Sequence, residues 1–240
     1  MRPDGRAYDE LRQIRIEHSP NRYAEGSALI HVGETHVLCT ASVQEKVPSW
    51  LLGKGRGWLT AEYALLPRST HTRTPRKHTE GGRAQEIRRL IGRSLRRAVD
   101  LTLIGDRTLI VDCDVLQADG GTRTASIIGG YVAVALAVQT LITNKGVNQK
   151  ALLPPIAAIS VGMVSGEPFL DLAYHEDANA DMDLNVVMDA TGRFVEVQGT
   201  AENTPVSRDE LDGLLNLASR GIEHIVKMQR EVLACIGIAI

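Results

Sequence analysis

The 240 residues predict a mixed α/β fold, α+β with mixed sheets, made of two similar halves in which a run of strands is closed by a helix. Three observations carry that expectation. β-rich runs broken by short turns occur near the start of the chain and again from Ile156 onward, and each set is followed by a segment of three-to-four periodicity. A composition of 43% hydrophobic and 23% charged residues is that of a folded globular chain, which excludes disordered, collagen-like and disulfide-stapled classes. The length is generous for one α/β domain and short for two, and neither a repeat nor a low-complexity linker divides it. A single domain over residues 1–240 is therefore expected.

The elements follow in order. Ala28 to Val32, the turn Gly33-Glu34-Thr35 and His36 to Val43 read as a hairpin. Ala84, Ile87, Leu90, Ile91, Leu95, Ala98 and Val99 recur at helical spacing and leave Arg89, Arg93, Arg96 and Arg97 largely on the opposite side. Between Arg107 and Leu116, Leu109, Val111, Cys113 and Val115 alternate with Asp112 and Asp114, a strand pattern. Thr124 to Leu141 is small and apolar almost all round, so it reads as a buried helix. Ile156 to Val164 and Phe169 to Tyr174 flank the turn Ser165-Gly166-Glu167-Pro168, and Leu184 to Met188 pairs with Arg193 to Val197 across Ala190-Thr191-Gly192. Ser207 and Glu210 form a capping box opening a last amphipathic helix, with Leu211, Leu214, Leu215, Ala218, Ile222, Ile225 and Val226 inward.

Charge is divided along the chain. The formal net charge of -2 argues superficially against a nucleic-acid partner, yet Arg68 to Arg97 holds ten Lys or Arg against two Glu, a local +8 that leaves -10 elsewhere. From Ala151 to Gly192 there is no Lys or Arg, while Glu167, Asp171, Glu176, Asp177, Asp181, Asp183 and Asp189 all fall there. Cys39, Cys113 and Cys235 are odd in number and far apart, which points away from a disulfide framework or structural zinc and toward a reducing cytoplasm. No apolar N-terminal core marks a signal peptide. The apolar runs Ile127 to Val138 and Val232 to Ile240 fall short of the roughly 20 residues of a membrane span, so no membrane partner is expected. Aromatics are 4%, too few for a base-stacking platform; if RNA is bound, arginine must do most of it.

Three segments could carry chemistry. Asp119-Gly120-Gly121-Thr122-Arg123 joins a strand to the buried helix, where unpaired N–H groups, the positive helix end and an arginine suit a small phosphate. The spacings of nucleotide P-loops and dinucleotide folds are absent, and the plain alternative is a tight turn that needs glycine. Glu176 to Asp183 gathers carboxylates that could bind a divalent cation or share a proton, or could simply be a solvated acidic loop; the EF-hand spacing is absent. Arg68 to Lys77, followed by Gly81-Gly82-Arg83 and the arginine-faced helix, combines arginine and hydroxyl residues without aromatics, suited to phosphate backbone, with an exposed loop and an ordinary solvated helix face as the alternative. His36 and His175 receive no role.

Taken together the segments resemble bacterial ribonuclease PH, of the phosphorolytic 3′-to-5′ exoribonuclease family, nearly end to end. The resemblance runs through Met1-Arg2-Pro3 and Gly5-Arg6, Val37 to Ser42, Gly57-Trp58-Leu59-Thr60-Ala61-Glu62-Tyr63, Leu66 to Arg73, Asp112 to Arg123, Asn185 to Met188 and Glu196-Val197-Gln198-Gly199-Thr200-Ala201-Glu202. It implies a ribonuclease PH-like fold and a ring of six made as a trimer of dimers. The implied activity trims tRNA precursors and other RNA 3′ ends, with inorganic phosphate as co-substrate. Arg83, Gly121, Thr122 and Arg123 would hold that phosphate; Asp177 and Asp183 would be catalytic and bind a divalent metal, with Mg²⁺ the expected ion; Arg68, Arg73 and Arg76 would contact RNA and neighbouring subunits. A non-catalytic RNA-binding subunit of an exosome-like ring and a hydrolytic metal nuclease are the rival readings. Two departures are visible: the stretch between Arg76 and Gly81 is shorter than in some relatives, and Leu184 stands where Met is familiar. The apolar tail is expected to pack into the core.

Overall fold

The computed structural model describes residues 2–76, 81–202 and 204–240. Its first sheet has five strands, β1 (Ile14–His18), β2 (Gly26–Val32), β3 (Thr35–Gln44), β4 (Trp58–Leu65) and β5 (Thr108–Gln117), in the order β1-β2-β3-β5-β4. The expected hairpin is β2–β3, turning at Gly33, whose φ of +54° is a conformation that glycine adopts freely. On β3, Val37, Cys39 and Ala41 face the core while the residues between them are half-buried, the period of two that predicts a strand. Only β4 and β5 run parallel, and parallel neighbours need a crossover. Helix α1 (Gly82–Leu95) supplies it, with Ile87, Leu90, Ile91 and Leu95 buried.

The second sheet, β6 (Ile156–Val164), β7 (Glu167–Leu170), β8 (Met182–Asp189) and β9 (Phe194–Ala201), is antiparallel throughout, in the order β7-β6-β8-β9. Two further helices are α2 (Thr122–Lys145) and the single turn α3 (Tyr174–Asp177), and the chain closes with α4 (Arg208–Ala234). The two halves are thus each a sheet followed by a long helix, although the parallel pair is confined to the first.

Helix α2 holds the halves together. Its 24 residues and mean hydropathy of 1.9 over the most apolar window match a membrane span, more than the run Ile127 to Val138 suggests, but 78% of that window is buried inside the protein. It packs on β2 and β3 on one side and on β6 on the other. Glycine permits the close approach: a Cβ on Gly129 would lie 2.8 Å from Ile30 Cγ2. Gln229 of α4 donates from Nε2 to the carbonyls of Ile128 and Ile156, 3.1 Å each, joining α4, α2 and β6. The Ser207–Glu210 capping box is present, with Ser207 N–H donating to Glu210 at 2.7 Å and Glu210 N–H to Ser207 Oγ at 3.3 Å. The apolar tail turns back at Gly237 (φ +81°), where Ile238 N–H donates to Leu233 and Gly237 N–H to Ala234, and Ile238 is buried.

Three elements lie outside the sequence expectations. β1 is too polar and β4 too rich in alanine to stand out, and α3 is one turn long. The strand expected from Phe169 to Tyr174 ends at Leu170, because Asp171 turns the chain with a φ of +55°. Glu176 to Asp183 is no continuous loop: Asp177 ends α3, and Asp183 is the second residue of β8.

Gly26 of β2 is where the first sheet comes nearest α2, and a Cβ there would lie 2.0 Å from the Ala133 carbonyl oxygen and 2.6 Å from Ala137 N. Both are helix backbone and cannot yield. Gly26→Ala is expected to destabilise the protein by at least about 2 kcal/mol, read as a fall in the urea midpoint at constant m-value.

Candidate active site

The phosphate-cradle candidate lies where β5 hands over to α2. Gly120 and Gly121 take left-handed φ values of 74° and 64°, and Gly121 is the N-cap residue. No side chain caps α2 and no acidic residue lies in its first turn, so its N–H groups and dipole remain available to an anion. Thr122 and Arg123 are the first two helical residues. Thr122 Oγ1 is 2.8 Å from the hydroxyl of Tyr63, a buried residue near the end of β4. Burial pushes the Tyr63 phenol up, against the opposing pull of Thr122, Arg83 and Arg123, so it is a neutral hydroxyl beside two cations. Arg83, in the first turn of α1, is thereby brought toward Arg123 from another element. Glu86, one turn further on, accepts from Arg123 Nη1 at 3.4 Å and from Gln198 Nε2 of β9 at 2.9 Å.

Asp177 and Asp183 both lie within reach of the Arg123 charge at the start of α2. Burial raises the Asp177 carboxyl above the usual range, and Arg123, Arg83 and Arg12 partly oppose that shift. Asp183 is raised by burial and then by the charge of Asp177, with Arg123 lowering it and Glu202 raising it. The acidic segment, empty of cations in sequence, is faced by arginines in space. Among the described residues no group of three or more His, Cys, Asp or Glu could hold a metal ion. A pair of carboxylates, Asp177 exposed and Asp183 half-buried, matches instead the needs of Mg²⁺, which commonly takes one or two protein carboxylates and completes its shell with water and substrate phosphate oxygens. Asp177 and Asp183 are the residues that would hold it.

A frame of buried arginines fixes the acidic loop. Arg2 forms a two-point pair with Glu176, Nε to Oε1 at 2.7 Å and Nη2 to Oε2 at 2.5 Å, and also donates to the carbonyls of Leu170 and Asp171. Arg6 donates to the carbonyls of Glu10 and Asp171. Arg12 grips the buried carboxylate of Asp171. Burial alone would lower the Arg12 pKa, but Asp171, Asp119 and Glu176 raise it, so the side chain stays charged. Glu176, which burial would raise, is held below the usual carboxylate range by Arg2, the Ala173 N–H and Arg6.

Of the residues expected from sequence, Gly121, Thr122 and Arg123 lie together at the start of α2, the charges of Arg83 and Arg123 reach Asp177, and that of Arg123 reaches Asp183. Sequence reasoning misses Arg12, Asp171, Tyr63, Glu86 and Gln198. Tyr63 and Gln198 lie inside the segments that carry the family resemblance, so a signal existed; Arg12 sits in no local motif. Arg68, Arg73 and Arg76 are exposed on the segment that leaves β4. That segment is anchored beside the cradle, where the Ala118 N–H donates to the Ser69 carbonyl at 2.8 Å. Lys77, and with it the shortened stretch before Gly81, lies outside the described residues. The remaining arginines of the +8 segment divide: Arg88 pairs with Glu62, Arg93 with Glu196, and Arg96 lies over the Trp58 ring at 4.4 Å. Much of the arginine face of α1 is therefore structural.

The chain matches the model described as 3′ exoribonuclease family, domain 1, over residues 10–138, and domain 2 of the same family over residues 154–221. Among solved structures it is similar to an Archaeoglobus fulgidus exosome described with RNA bound to the active site, with a TM-score of 0.80 at 23% identity over 95% of this chain and 92% of that one. It is also similar to rice (Oryza sativa) Rrp46, TM-score 0.78 at 19% identity over 97% and 100% of the two chains. An archaeal exosome core gives 0.75 at 22% identity over 95% and 90%. At these identities the likeness is one of fold.

The raised carboxyl of Asp183 has a consequence for stability. A folded-state pKa above the unfolded value favours the protonated form on folding, so ionised Asp183 costs stability above its folded pKa, and that cost vanishes below the unfolded value. Asp183→Asn is expected to melt higher than the native protein at pH 7 in chelator-containing buffer, with the gap narrowing toward pH 4. Thermal unfolding at the two pH values measures it, and an equal or lower midpoint at pH 7 would contradict it.

Proposed function

The chain belongs to the 3′ exoribonuclease family and has the ribonuclease PH-like fold, and from that premise we propose that it is a phosphate-dependent 3′-to-5′ exoribonuclease. Its substrates are RNA 3′ ends, with tRNA precursors the class suggested by the resemblance to bacterial ribonuclease PH, and it releases nucleoside diphosphates in a reaction that can run backward as nucleotide addition. One observation carries the reading. The uncapped N-terminus of α2 carries Arg123, the glycine loop ahead of it packs against the Leu172–Tyr174 backbone that leads into Asp177, and Asp177 and Asp183 both lie within reach of the Arg123 charge. A hydrolytic nuclease would need the carboxylates alone and would leave the anion cradle without a task.

Phosphorolysis brings inorganic phosphate up to a phosphodiester, and repulsion between two anions is the obstacle. Arg83, Arg123, the Thr122 hydroxyl and the first N–H groups of α2 bind the incoming phosphate, lower its effective charge and aim one oxygen at the scissile phosphorus. Tyr63 holds the Thr122 hydroxyl, and Glu86 with Gln198 holds Arg123, so the groups that bind are themselves fixed. The departing O3′ needs a proton. The raised pKa values of Asp177 and Asp183 suit a pair that shares one and gives it up to the leaving oxygen. A divalent ion at the pair would stabilise negative charge on the scissile group. Arg68, Arg73 and Arg76, exposed on the segment anchored through Ser69 to Ala118, would follow the RNA backbone.

Assembly into a ring of six and a cytoplasmic setting belong to the same proposal. A non-catalytic ring subunit is the second reading, favoured by the similarity of fold to exosome cores. A product assay separates the three cases: diphosphates formed only with added phosphate mean phosphorolysis, monophosphates without it mean hydrolysis, and no product means a scaffold.

Within that assay Arg123→Ala is expected to lower phosphate-dependent turnover by about 10²-fold or more while RNA affinity, measured by filter binding, changes little. Equal loss of both would misplace Arg123. Replacing Arg73 and Arg76 together with Ala should weaken RNA binding and reduce the slope of log affinity against log salt by about 1 to 2. An unchanged slope would remove the loop from the RNA path.

A further inference from the structure

We infer that Arg12 is a positioning residue for the phosphate cradle, a single side chain that ties the glycine loop ahead of α2 to the Asp171 turn that leads into α3 and Asp177. The inference rests on the phosphate-binding reading above and adds a residue outside every segment that carries the family resemblance.

The geometry is specific. Arg12 uses its backbone N–H and Nε on Asp171 Oδ2, both at 2.9 Å, and Nη2 on Asp171 Oδ1 at 2.7 Å. Its remaining arm, Nη1, donates to the carbonyl of Asp119 at 2.6 Å. Asp119 begins the Asp119-Gly120-Gly121 cradle, and Asp171 lies six positions before Asp177. The two loops also touch directly: a Cβ on Gly120 would lie 2.7 Å from Leu172 O and from Tyr174 N, and one on Gly121 would lie 2.9 Å from Arg12 Nη2. Asp171 is fully buried and holds a left-handed φ of +55° that a side-chain-bearing residue adopts only when its surroundings demand it.

The link sets the direction of the cradle's donors. In a trans peptide the C=O and the N–H of the same unit lie in one plane and point in opposite directions. Arg12 takes the Asp119 carbonyl, and Thr35 Oγ1 donates to the Gly120 carbonyl at 2.7 Å while accepting from the Asp119 N–H at 2.8 Å. Two successive peptide planes are thereby fixed, and the N–H groups of Gly120 and Gly121 are held to the side away from those carbonyl partners. A planar guanidinium serves Asp171 with one edge and Asp119 with another. A lysine ammonium keeps the charge but lacks the two edges.

The test is equilibrium titration of inorganic phosphate into the RNA-free full-length protein and its Arg12→Lys and Arg12→Gln variants, with thermal unfolding and RNA binding measured alongside. Both variants are expected to bind phosphate about tenfold more weakly, with RNA affinity unchanged and a cooperative melt retained. In a turnover assay the KM for phosphate should rise while the KM for RNA stays. Arg12→Lys should fail to restore phosphate affinity, since charge alone is not the requirement. A role confined to stability would lower the melting temperature and leave phosphate affinity alone. That result, native-like affinity in either folded variant, or unfolding of both variants would overturn the inference. Failure of the native protein itself to bind phosphate would instead overturn the phosphorolytic reading, and this one with it.

Discussion

A helix that is apolar on every side is stable in water only when something covers every side, and α2 imposes that demand on the whole molecule. One sheet cannot meet it. The first sheet covers the face toward β2 and β3, β6 covers another, and α1 and α4 close what is left. Burial of Ile127, Ile128, Tyr131, Val132, Val134 and Val138, each at 1% exposure or less, is a large share of the favourable energy of the fold, at about 1.5–3 kcal/mol for each large apolar side chain. The same demand determines where the chemistry sits. An N-terminus of a helix buried between two halves emerges at their junction, so the anion-attracting end of α2 faces the loop that the second half contributes.

That junction is held by charge as well as by apolar contact. Arg2, Arg6 and Arg12 come from the first dozen residues and reach Asp171 and Glu176, more than 150 positions away in sequence. Buried pairs of this kind add little net stability over an apolar equivalent, but removing one partner strands the other and costs about 3–5 kcal/mol. Their value is in geometry. Long arginines with several donors fix backbone carbonyls and carboxylates at once, and so they hold the loop bearing Asp177 in one position relative to Gly120 and Gly121.

Opposite charges are kept close without cancelling. Asp177 feels Arg123, Arg83 and Arg12, and Asp183 feels Arg123, yet burial keeps the Asp177 carboxyl above its ordinary range, and burial followed by the charge of Asp177 does the same for Asp183. The arginines that could have neutralised them have other partners: Arg12 is occupied by Asp171, and Arg123 leans toward Glu86. In the proposed reaction between two phosphate groups and a leaving alcohol, the carboxyl pair would supply the proton and the start of α2 would hold the anion.

The sequence alone determined what depends on neighbours along the chain. A period-two pattern marked β5, β-rich runs broken by turns marked β2, β3, β6 and β8, helical periodicity and the capping box marked α1 and α4, an apolar run marked α2, and the Gly-Gly-Thr-Arg run marked a helix N-terminus as a candidate anion site, because each of these is decided by residues within a turn or a strand of one another. The tertiary structure alone decided what depends on distance across the fold. The segment from Ala151 to Gly192 carries no cation in its own sequence, and only the packed molecule places Arg2, Arg6, Arg12, Arg83 and Arg123 around it. Arg12 belongs to no motif, since its meaning lies in Asp119 and Asp171, neither of which is near it in the chain. Three arginines of α1 and the turn after it, Arg88, Arg93 and Arg96, legible as part of an RNA surface, are engaged by Glu62, Glu196 and Trp58. Local periodicity is written in sequence because backbone geometry repeats; the pairing of charges is not, because it is set by which surfaces the burial of α2 brings together.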